Sequence, residues 1–331
     1  MTVLETISPI AATGMFSWAW LMIAIPALGA ALLLLGGSAL DKLGPPLAVG
    51  AVAASFGVAV ALFASLLALN LLQTASLGVR PFSRASFRRL NRWAANTFWG
   101  ACARVTLAVH RTRVVFTGEA ELPRENALLI VNHQAMTDVQ VLFLLARRER
   151  RLGDMKWFVK RSLRHWPGVG WGLRFLDCLF VKRDWAADRQ RIEAVFAKLR
   201  GAKVPVWLVS FVEGTRLTAA RLAQAREYAA AQARELPRHV LVPRAKGFVA
   251  SVTGLAGHVV AVYDVTIGYV GGLPSLWQWA KGRMREVHLD VRRYPLAELP
   301  AAPEALAAWL AERFREKDAR LERFYAGGSL A

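Results

Sequence analysis

Charged side chains are missing from two long stretches near the N-terminus. None occurs from Thr6 to Leu40, and none occurs from Leu43 to Val79. Each stretch holds enough apolar residues for a helix that crosses a bilayer, which needs about 20. Only a tight polar turn separates them, so residues 1–79 are predicted to form a two-helix transmembrane hairpin. A cleaved signal peptide is the alternative for the first stretch, but the basic residues that normally precede a signal peptide are absent.

Acidic side chains are scarce in the segment that follows the hairpin. Between Leu71 and Ala120 the chain has eight arginines and a single acid, Glu119, whereas its first 70 residues contain one Lys or Arg. Positive charge beside membrane helices stays on the cytoplasmic side, so this asymmetry predicts that the chain after the hairpin is cytoplasmic. We therefore expect a protein that is integral to a membrane, the bacterial inner membrane, with its larger part in the cytoplasm.

A net charge of +19 in a chain that is 55% hydrophobic narrows the classes of partner. A nucleic-acid-binding protein is usually less apolar, and neither a basic low-complexity tail nor zinc-finger spacing is present. An anionic membrane surface fits this composition better. Residues 80–113 carry apolar side chains at helical spacing beside several arginines, with Trp93 and Trp99 as interfacial anchors. They are predicted to form a basic amphipathic helix on that surface, and a helix packed on the following domain is the alternative.

Cysteine is rare, and the patterns that would supply a metal site or a nucleophile are missing. Cys102 and Cys178 are too few for a disulfide framework and lack metal-ligand spacing. His, Cys and carboxylate residues form no cluster with the spacing of zinc ligands, and no G-x-S-x-G motif marks a serine nucleophile. We therefore expect no metal and no covalent intermediate on the protein.

From residue 114 to residue 331, short apolar runs alternate with longer segments of helical character. Such alternation is typical of an α/β domain with a mixed sheet flanked by helices. Strands are predicted at 114–116, 127–131, 157–160, 178–181, 205–211, 240–242, 259–267 and 287–292, and helices at 139–147, 185–199, 224–236, 247–256 and 304–325. The chain is therefore expected to comprise the hairpin (1–79), the surface helix (80–113) and this domain (114–331).

A histidine and a carboxylate lie five residues apart where a predicted strand gives way to a helix. The strand Ala127–Val131 is followed by Asn132 and His133, and Asp138 lies just inside the next apolar run. A ring at such a junction can face an open cleft, and the carboxylate can curl back to it. The imidazole can then take a proton from an alcohol while the carboxylate fixes its tautomer and stabilises the imidazolium. We expect Asn132 to brace this turn by hydrogen bonding.

A second group of polar residues follows the apolar strand that ends near Phe211. Gly214, Thr215 and Arg216 offer turn N–H groups, a hydroxyl and a guanidinium, which are groups with which proteins bind a phosphate. This predicts a phosphate-binding site at the turn that follows the strand. A simple ion pair between Glu213 and Arg216 across the turn is the alternative.

Taken together, these motifs resemble the glycerolipid acyltransferase superfamily, which includes the 1-acyl-sn-glycerol-3-phosphate (lysophosphatidic acid) acyltransferases. The resemblance covers 70–325, and ordered co-occurrence of several blocks makes it specific. The blocks are Asn132-His133 with Asp138, Phe175–Arg189 around Arg183, Phe211–Arg216, Leu241–Phe248, and Val262–Thr266 with Leu273–Leu276. One departure is Ala245, where the most similar branch usually has Thr.

The resemblance implies a fold, a reaction and a set of roles. It implies a glycerol-3-phosphate acyltransferase-like domain that moves a fatty acyl group from acyl-CoA or acyl-carrier protein to the sn-2 hydroxyl of lysophosphatidic acid. His133 would be the base and Asp138 its partner, with no cofactor besides the acyl-thioester co-substrate. Substrate-binding roles would fall to Glu213, Gly214, Thr215, Arg216, Arg183, Lys160, Lys246 and Arg244, with Glu213 as an organiser of Arg216. A structural role at a helix start is equally compatible with Pro243 and its neighbours.

Two other functions fit the same residues. An acyltransferase that remodels lysophospholipids with another head group, such as lysophosphatidylglycerol or lysophosphatidylinositol, would use the same base and the same phosphate site. A membrane-anchored binding protein that has lost its chemistry is the other alternative. The intact pair of His133 and Asp138 argues against it.

Overall fold

The computed structural model describes most of the chain after the first predicted membrane segment. The described residues are 28, 44–119, 121–182, 184–232, 235–275, 278–279, 282–327 and 329–330. The chain divides into two compact units between Leu71 and Leu72. Apart from Leu28, the first apolar stretch lies outside the described residues.

The second uncharged stretch is helical. Helix α1 (Gly44–Ala75) covers it. In the part of the chain that the structure describes, no helix combines the length and the apolar composition needed to cross a bilayer. The transmembrane hairpin therefore stays a prediction.

The predicted surface helix exists and has one face packed on the α/β domain. Helix α2 (Arg84–His110) places the ring of Trp99 4.8 Å from the ring of Phe143, and Arg92 forms an ion pair with the buried Asp154. Trp99 is therefore a packing residue of the domain rather than an interfacial anchor. Trp93, on another side of the helix, is exposed.

A mixed sheet forms the centre of the second unit, as the sequence predicts, and it has seven strands. The strands are β1 (Arg113–Gly118), β2 (Ala127–Val131), β3 (Met155–Lys160), β4 (Leu179–Val181), β5 (Trp207–Ser210), β6 (Ala261–Tyr269) and β7 (Glu286–Pro295). Their order in the sheet is β1-β7-β6-β2-β5-β3-β4. Only β6 and β7 run antiparallel, and every other neighbouring pair is parallel.

Helices cover both faces of this sheet. They are α3 (Asp138–Arg148), α4 (Val169–Phe175), α5 (Trp185–Gly201), α6 (Ala219–Ala231), α7 (Ala245–Gly254) and α8 (Pro303–Tyr325). Successive side chains of a strand point to opposite faces. Leu129 of β2 accordingly packs in one core with α3, and Leu128 packs in the other with α5, α7 and α8. Burial on both faces explains why β2 is an uninterrupted apolar run.

The parallel strands bring the predicted site residues to one edge of the sheet. Strands β6, β2, β5, β3 and β4 all run in the same direction, so their carboxyl ends meet. His133 follows β2, Glu213 follows β5, and Lys160 is the last residue of β3. Ligands bind open α/β sheets outside the carboxyl ends of the strands. The topology therefore assembles the candidate site at this edge.

Two predicted elements differ from the structure. Residues 240–242 form no strand, because their amide groups bond to carboxylates instead of a neighbouring strand: Val240 N–H donates to Asp318 at 3.0 Å and Leu241 N–H donates to Glu213 at 3.1 Å. The helix predicted at 224–236 begins earlier, as α6. Its first turn is capped by the Thr218 hydroxyl, which accepts from Arg221 N–H at 3.2 Å.

Candidate active site

His133 and Asp138 form the hydrogen-bonded pair that the sequence predicts. Asp138 Oδ2 lies 2.9 Å from His133 Nδ1 and also accepts from Ala135 N–H at 3.0 Å. Asp138 is fully buried, whereas 13% of the His133 side chain is exposed. Nε2 of the ring has no hydrogen-bond partner among the described residues. The geometry leaves one ring nitrogen held by a carboxylate and the other open to a proton donor.

Asn132 braces the turn through the neighbouring strand. Its amide group accepts from Ile267 N–H and donates to the Ile267 carbonyl oxygen, both at 2.9 Å. These two bonds take the place of the next pair of backbone hydrogen bonds between β2 and β6, just beyond the last paired residue of β2. Asn132 is fully buried. It therefore fixes where β2 ends and where the next residue, His133, begins to leave the sheet.

Glu213 has a different role from the expected one. Its Oε1 accepts from His133 N–H at 2.9 Å and its Oε2 accepts from Leu241 N–H at 3.1 Å. The carboxyl group is buried, so burial raises the pKa of Glu213 to about 8, against the opposing effect of the two N–H donors. Its oxygens point to the His133 turn, and the side chain of Arg216 is exposed. Glu213 is thus a brace of the histidine turn rather than an organiser or ion-pair partner of Arg216.

An aromatic ring supports the histidine from one side. The rings of His133 and Phe211 lie nearly parallel, with centroids 3.9 Å apart, and the ring of Trp157 lies 6.1 Å from that of Phe211. Stacking fixes the plane of the imidazole, because the hydrogen bond to Asp138 alone would let the ring tilt. The sequence names Phe211 as the end of a strand but contains no signal for this contact, because 78 positions separate the rings along the chain.

Two guanidinium groups are presented at the turn after β5, one from the turn itself and one from the N-cap residue of α7. Gly214 has φ +74°, and a Cβ built on it would come 3.1 Å from Cδ of Arg244. The Arg244 side chain therefore lies across this glycine, and Arg244 N–H donates to the Val212 carbonyl oxygen at 2.7 Å. Arg216 and Arg244 are exposed, and neither forms an ion pair within the described residues. Glycine allows both the positive φ and the close approach.

The remaining predicted residues spread along the same edge or fall outside the description. Lys160 and Lys246 are exposed, at the end of β3 and in the first turn of α7. Pro243 lies in the short segment between the Leu241 and Arg244 amides, which bond to the turn after β5. That position fits the structural alternative for Pro243. Arg183 lies outside the described residues.

A buried ion network beneath the site was not predicted from the sequence. Lys317 of α8 contacts Asp264 at 2.7 Å and donates to the Val265 carbonyl oxygen at 2.7 Å, and Arg320 bridges Asp264 to Asp290. The four side chains are at most 2% exposed. One signal was available: Lys317 and Arg320 occur at helical spacing with Phe314 and Leu321, which marks them as inward-facing.

Comparisons with known proteins identify the family of this chain. The family model described as Acyltransferase matches residues 113–268, and the one described as Acyltransferase C-terminus matches residues 280–331.

Two curated relatives cover most of the chain. The Arabidopsis thaliana protein 1-acyl-sn-glycerol-3-phosphate acyltransferase 3 is 34% identical over 75% of this chain and 67% of its own length. The human protein 1-acyl-sn-glycerol-3-phosphate acyltransferase gamma is 33% identical over 79% of this chain and 71% of its own length. Among solved structures, the crystal structure of the 1-acyl-sn-glycerophosphate (LPA) acyltransferase PlsC from Thermotoga maritima covers 77% of this chain and 95% of that chain, with 17% identity and a TM-score of 0.46. On the strength of the curated relatives and the family models, the chain belongs to the 1-acyl-sn-glycerol-3-phosphate acyltransferase family and is an O-acyltransferase.

Proposed function

We propose that this chain transfers a fatty acyl group from a thioester donor to the sn-2 hydroxyl of lysophosphatidic acid, giving phosphatidic acid. The observation that carries the proposal is the 2.9 Å contact between His133 Nδ1 and Asp138 Oδ2, with Nε2 of the ring left open. This is the geometry of a general base that acts on an alcohol. The names of the curated relatives supply the substrate.

The reaction proceeds in two steps without a covalent enzyme intermediate. His133 Nε2 accepts the proton of the sn-2 hydroxyl while the hydroxyl oxygen attacks the thioester carbonyl carbon. Asp138 stabilises the imidazolium that forms. The tetrahedral intermediate then expels the thiolate, which takes the proton from His133. General-base help supplies roughly 10²–10⁴ in rate. Positioning of two lipid substrates supplies much of the remainder.

Arg216, with the backbone of Gly214 and the hydroxyl of Thr215, binds the phosphate of the acceptor in this proposal. The free guanidinium of Arg244 lies across the same glycine and adds a second positive charge. A guanidinium can hold a phosphate through two parallel hydrogen bonds. Lys160 and Lys246 lie at the same edge and are assigned to the phosphates of acyl-CoA or to an acidic acyl-carrier protein.

We place the enzyme at an anionic membrane, held by the N-terminal hairpin and by an aromatic and basic surface. Exposed large aromatic residues occur on and beside α2 and α4, where the rings of Phe87 and Phe175 lie 6.2 Å apart. The exposed aromatic residues, called the aromatic patch below, are Phe82, Trp93, Trp166 and Trp171. No acid occurs from Met155 to Leu176, and several arginines occur in both segments. Exposed aromatic and basic side chains together favour an anionic bilayer.

The test is acyl transfer by the purified full-length protein from acyl-CoA to a panel of lysolipids, with His133→Ala beside it. We expect lysophosphatidic acid to be the best acceptor and the variant to lose roughly 10²–10⁴ of kcat, because the base is gone. A preference for lysophosphatidylglycerol or lysophosphatidylinositol would keep the mechanism and replace the substrate. A variant as active as the parent would overturn the role of His133.

A further inference from the structure

The carboxylate of Asp138 has a third donor to which the mechanism above gives no role. The phenol of Tyr269 donates to Asp138 Oδ1 at 2.5 Å, while Oδ2 faces His133 and accepts from Ala135 N–H. Tyr269 and Asp138 are both fully buried. A buried carboxylate depends on such donors for the stability of its charge, because water does not reach it.

The direction of this hydrogen bond is set by a fourth side chain. Thr137 Oγ1 donates to the phenol oxygen of Tyr269 at 3.0 Å, so the phenol proton is directed to Asp138. Burial and the charge of Asp138 raise the pKa of Tyr269 well above its usual range, which keeps the phenol a donor. A hydroxyl that accepts one hydrogen bond also becomes a stronger donor of its own.

The strand register brings Tyr269 to this position. Tyr269 is the last residue of β6, two residues beyond Ile267, whose backbone is bonded on both sides by the Asn132 amide. Asn132 therefore fixes the end of β6 against the turn that carries His133. The same bonds that hold the base in place deliver the phenol to its carboxylate.

We propose that Tyr269 is a positioning residue that sets the proton affinity of the Asp138–His133 pair. Its O–H draws negative charge toward Oδ1 and locks the carboxylate, so that His133 gives up its proton at a lower pH than it would beside an unsupported aspartate. The inference rests on the proposed role of His133 as the base. It adds to that role a reason why a tyrosine ends this strand.

Tyr269→Phe tests the inference in the full-length enzyme. Without the phenol, charge concentrates on Asp138 Oδ2 and the pair keeps its proton to a higher pH. We expect a roughly ten- to hundredfold fall in kcat, the scale of a lost hydrogen bond to a charged group, because the unlocked carboxylate no longer holds the imidazole in place. The acidic limb of the profile of kcat/KM against pH should move upward by roughly one unit. Glu213, which accepts from His133 N–H, and Tyr325 of α8 are the other titratable groups that face the pair, and both are retained in this variant and in its control. KM for the lysolipid should hardly change, because the buried phenol does not reach the substrate.

Two variants separate positioning from folding. Tyr263→Phe is the matched control, since Tyr263 is equally buried on the same strand but donates to Glu125 at 2.8 Å. Thr137→Val removes the donor behind Tyr269 and should produce a smaller upward shift of the same limb. Thr137→Val keeps the test decisive if Tyr269→Phe fails to fold. An equal shift of the acidic limb in Tyr263→Phe would overturn the inference. So would the absence of a shift in both Tyr269→Phe and Thr137→Val.

Histidine titration by NMR distinguishes failure of this inference from failure of the proposed function. The chain has six histidines, and the signal of His133 is identified by its loss in His133→Ala. We expect the His133 titration to move to higher pH in Tyr269→Phe and to stay in place in Tyr263→Phe. An unmoved titration refutes the inference whatever the activity. An active His133→Ala enzyme refutes the proposed base, and the titration still decides the coupling.

Discussion

At the scale of single residues, the position of Arg216 separates binding from chemistry. The side chain is exposed at the edge that carries His133, with no ion pair among the described residues. Arg216→Ala should therefore raise KM for the lysolipid roughly ten- to hundredfold, the loss of a charge-assisted hydrogen bond, and leave kcat largely unchanged. Steady-state kinetics over a range of lysophosphatidic acid checks this. Arg221→Ala, which removes an exposed arginine of α6, is the control, and a fall in kcat alone at Arg216 would contradict the assignment.

A second prediction at this scale concerns Glu213 and pH. Burial raises the pKa of Glu213 from 4.5 to about 8, so the folded chain keeps this proton after the unfolded chain has lost it. The contribution of Glu213 to the free energy of unfolding is then full below about pH 4.5 and is lost as the pH rises to about 8. Glu213→Gln removes this titration. The melting temperature of the parent relative to the variant should therefore fall between pH 5 and pH 8. A difference that does not change with pH would count against a buried, protonated Glu213.

The residue scale also shows how far sequence patterns reach. His133 and Asp138 are close along the chain, so a strand-to-helix junction was sufficient to predict their contact. Glu213 and Tyr269 lie 80 and 131 positions from the residues they bond, His133 and Asp138. Such partners are chosen by the order of strands in the sheet, which local patterns do not contain.

At the scale of elements, helix α8 depends on a buried charge that is matched by the sheet. Lys317 is fully buried against Asp264, and its neighbour Arg320 contacts the same carboxylate. Lys317→Met should lower the free energy of unfolding by about 3 kcal/mol, because it leaves part of a buried carboxylate charge unmatched.

Thermal unfolding of two further variants checks this prediction. Adding Asp264→Asn to Lys317→Met should restore part of the loss, since the stranded charge is then removed. Arg315→Met, on the exposed side of α8, should leave the melting temperature close to that of the parent. Equal losses for Lys317→Met and Arg315→Met would show that the buried network contributes nothing.

The two elements that the sequence pattern predicts wrongly differ from the structure for one common reason. The segment at 240–242 has the apolar pattern of a strand, but its amides are taken by the carboxylates of Glu213 and Asp318. The sequence pattern predicts that helix α6 begins at Gln224, but the Thr218 cap sets its start earlier. In both cases a side-chain acceptor, rather than hydrophobic periodicity, decides where backbone hydrogen bonds go.

At the scale of the whole molecule, the aromatic patch predicts how the enzyme meets its acceptor. Replacing Trp166 and Trp171 together by Ala should lower activity on lysolipid presented in anionic vesicles severalfold, because the loss of interfacial anchors weakens docking. Activity on a short-chain lysolipid dissolved as monomers should stay close to that of the parent. Tyr228→Ala, an exposed aromatic of α6, is the control. Equal losses on both forms of substrate would show that the tryptophans support the fold rather than the docking.

The sequence by itself determined the local features of this protein: the apolar strands, most helices, the basic segment after residue 79 and the spacing of His133 and Asp138. Each of these follows from the period or chemistry of neighbouring residues. Tertiary structure alone decided that α2 packs on the domain, that Glu213 braces the histidine turn, and that Tyr269 and Lys317 lie beneath the site. Those outcomes depend on which strands become neighbours in the sheet. Polar groups that are distant along the chain but buried together must bond to one another, because water does not reach them.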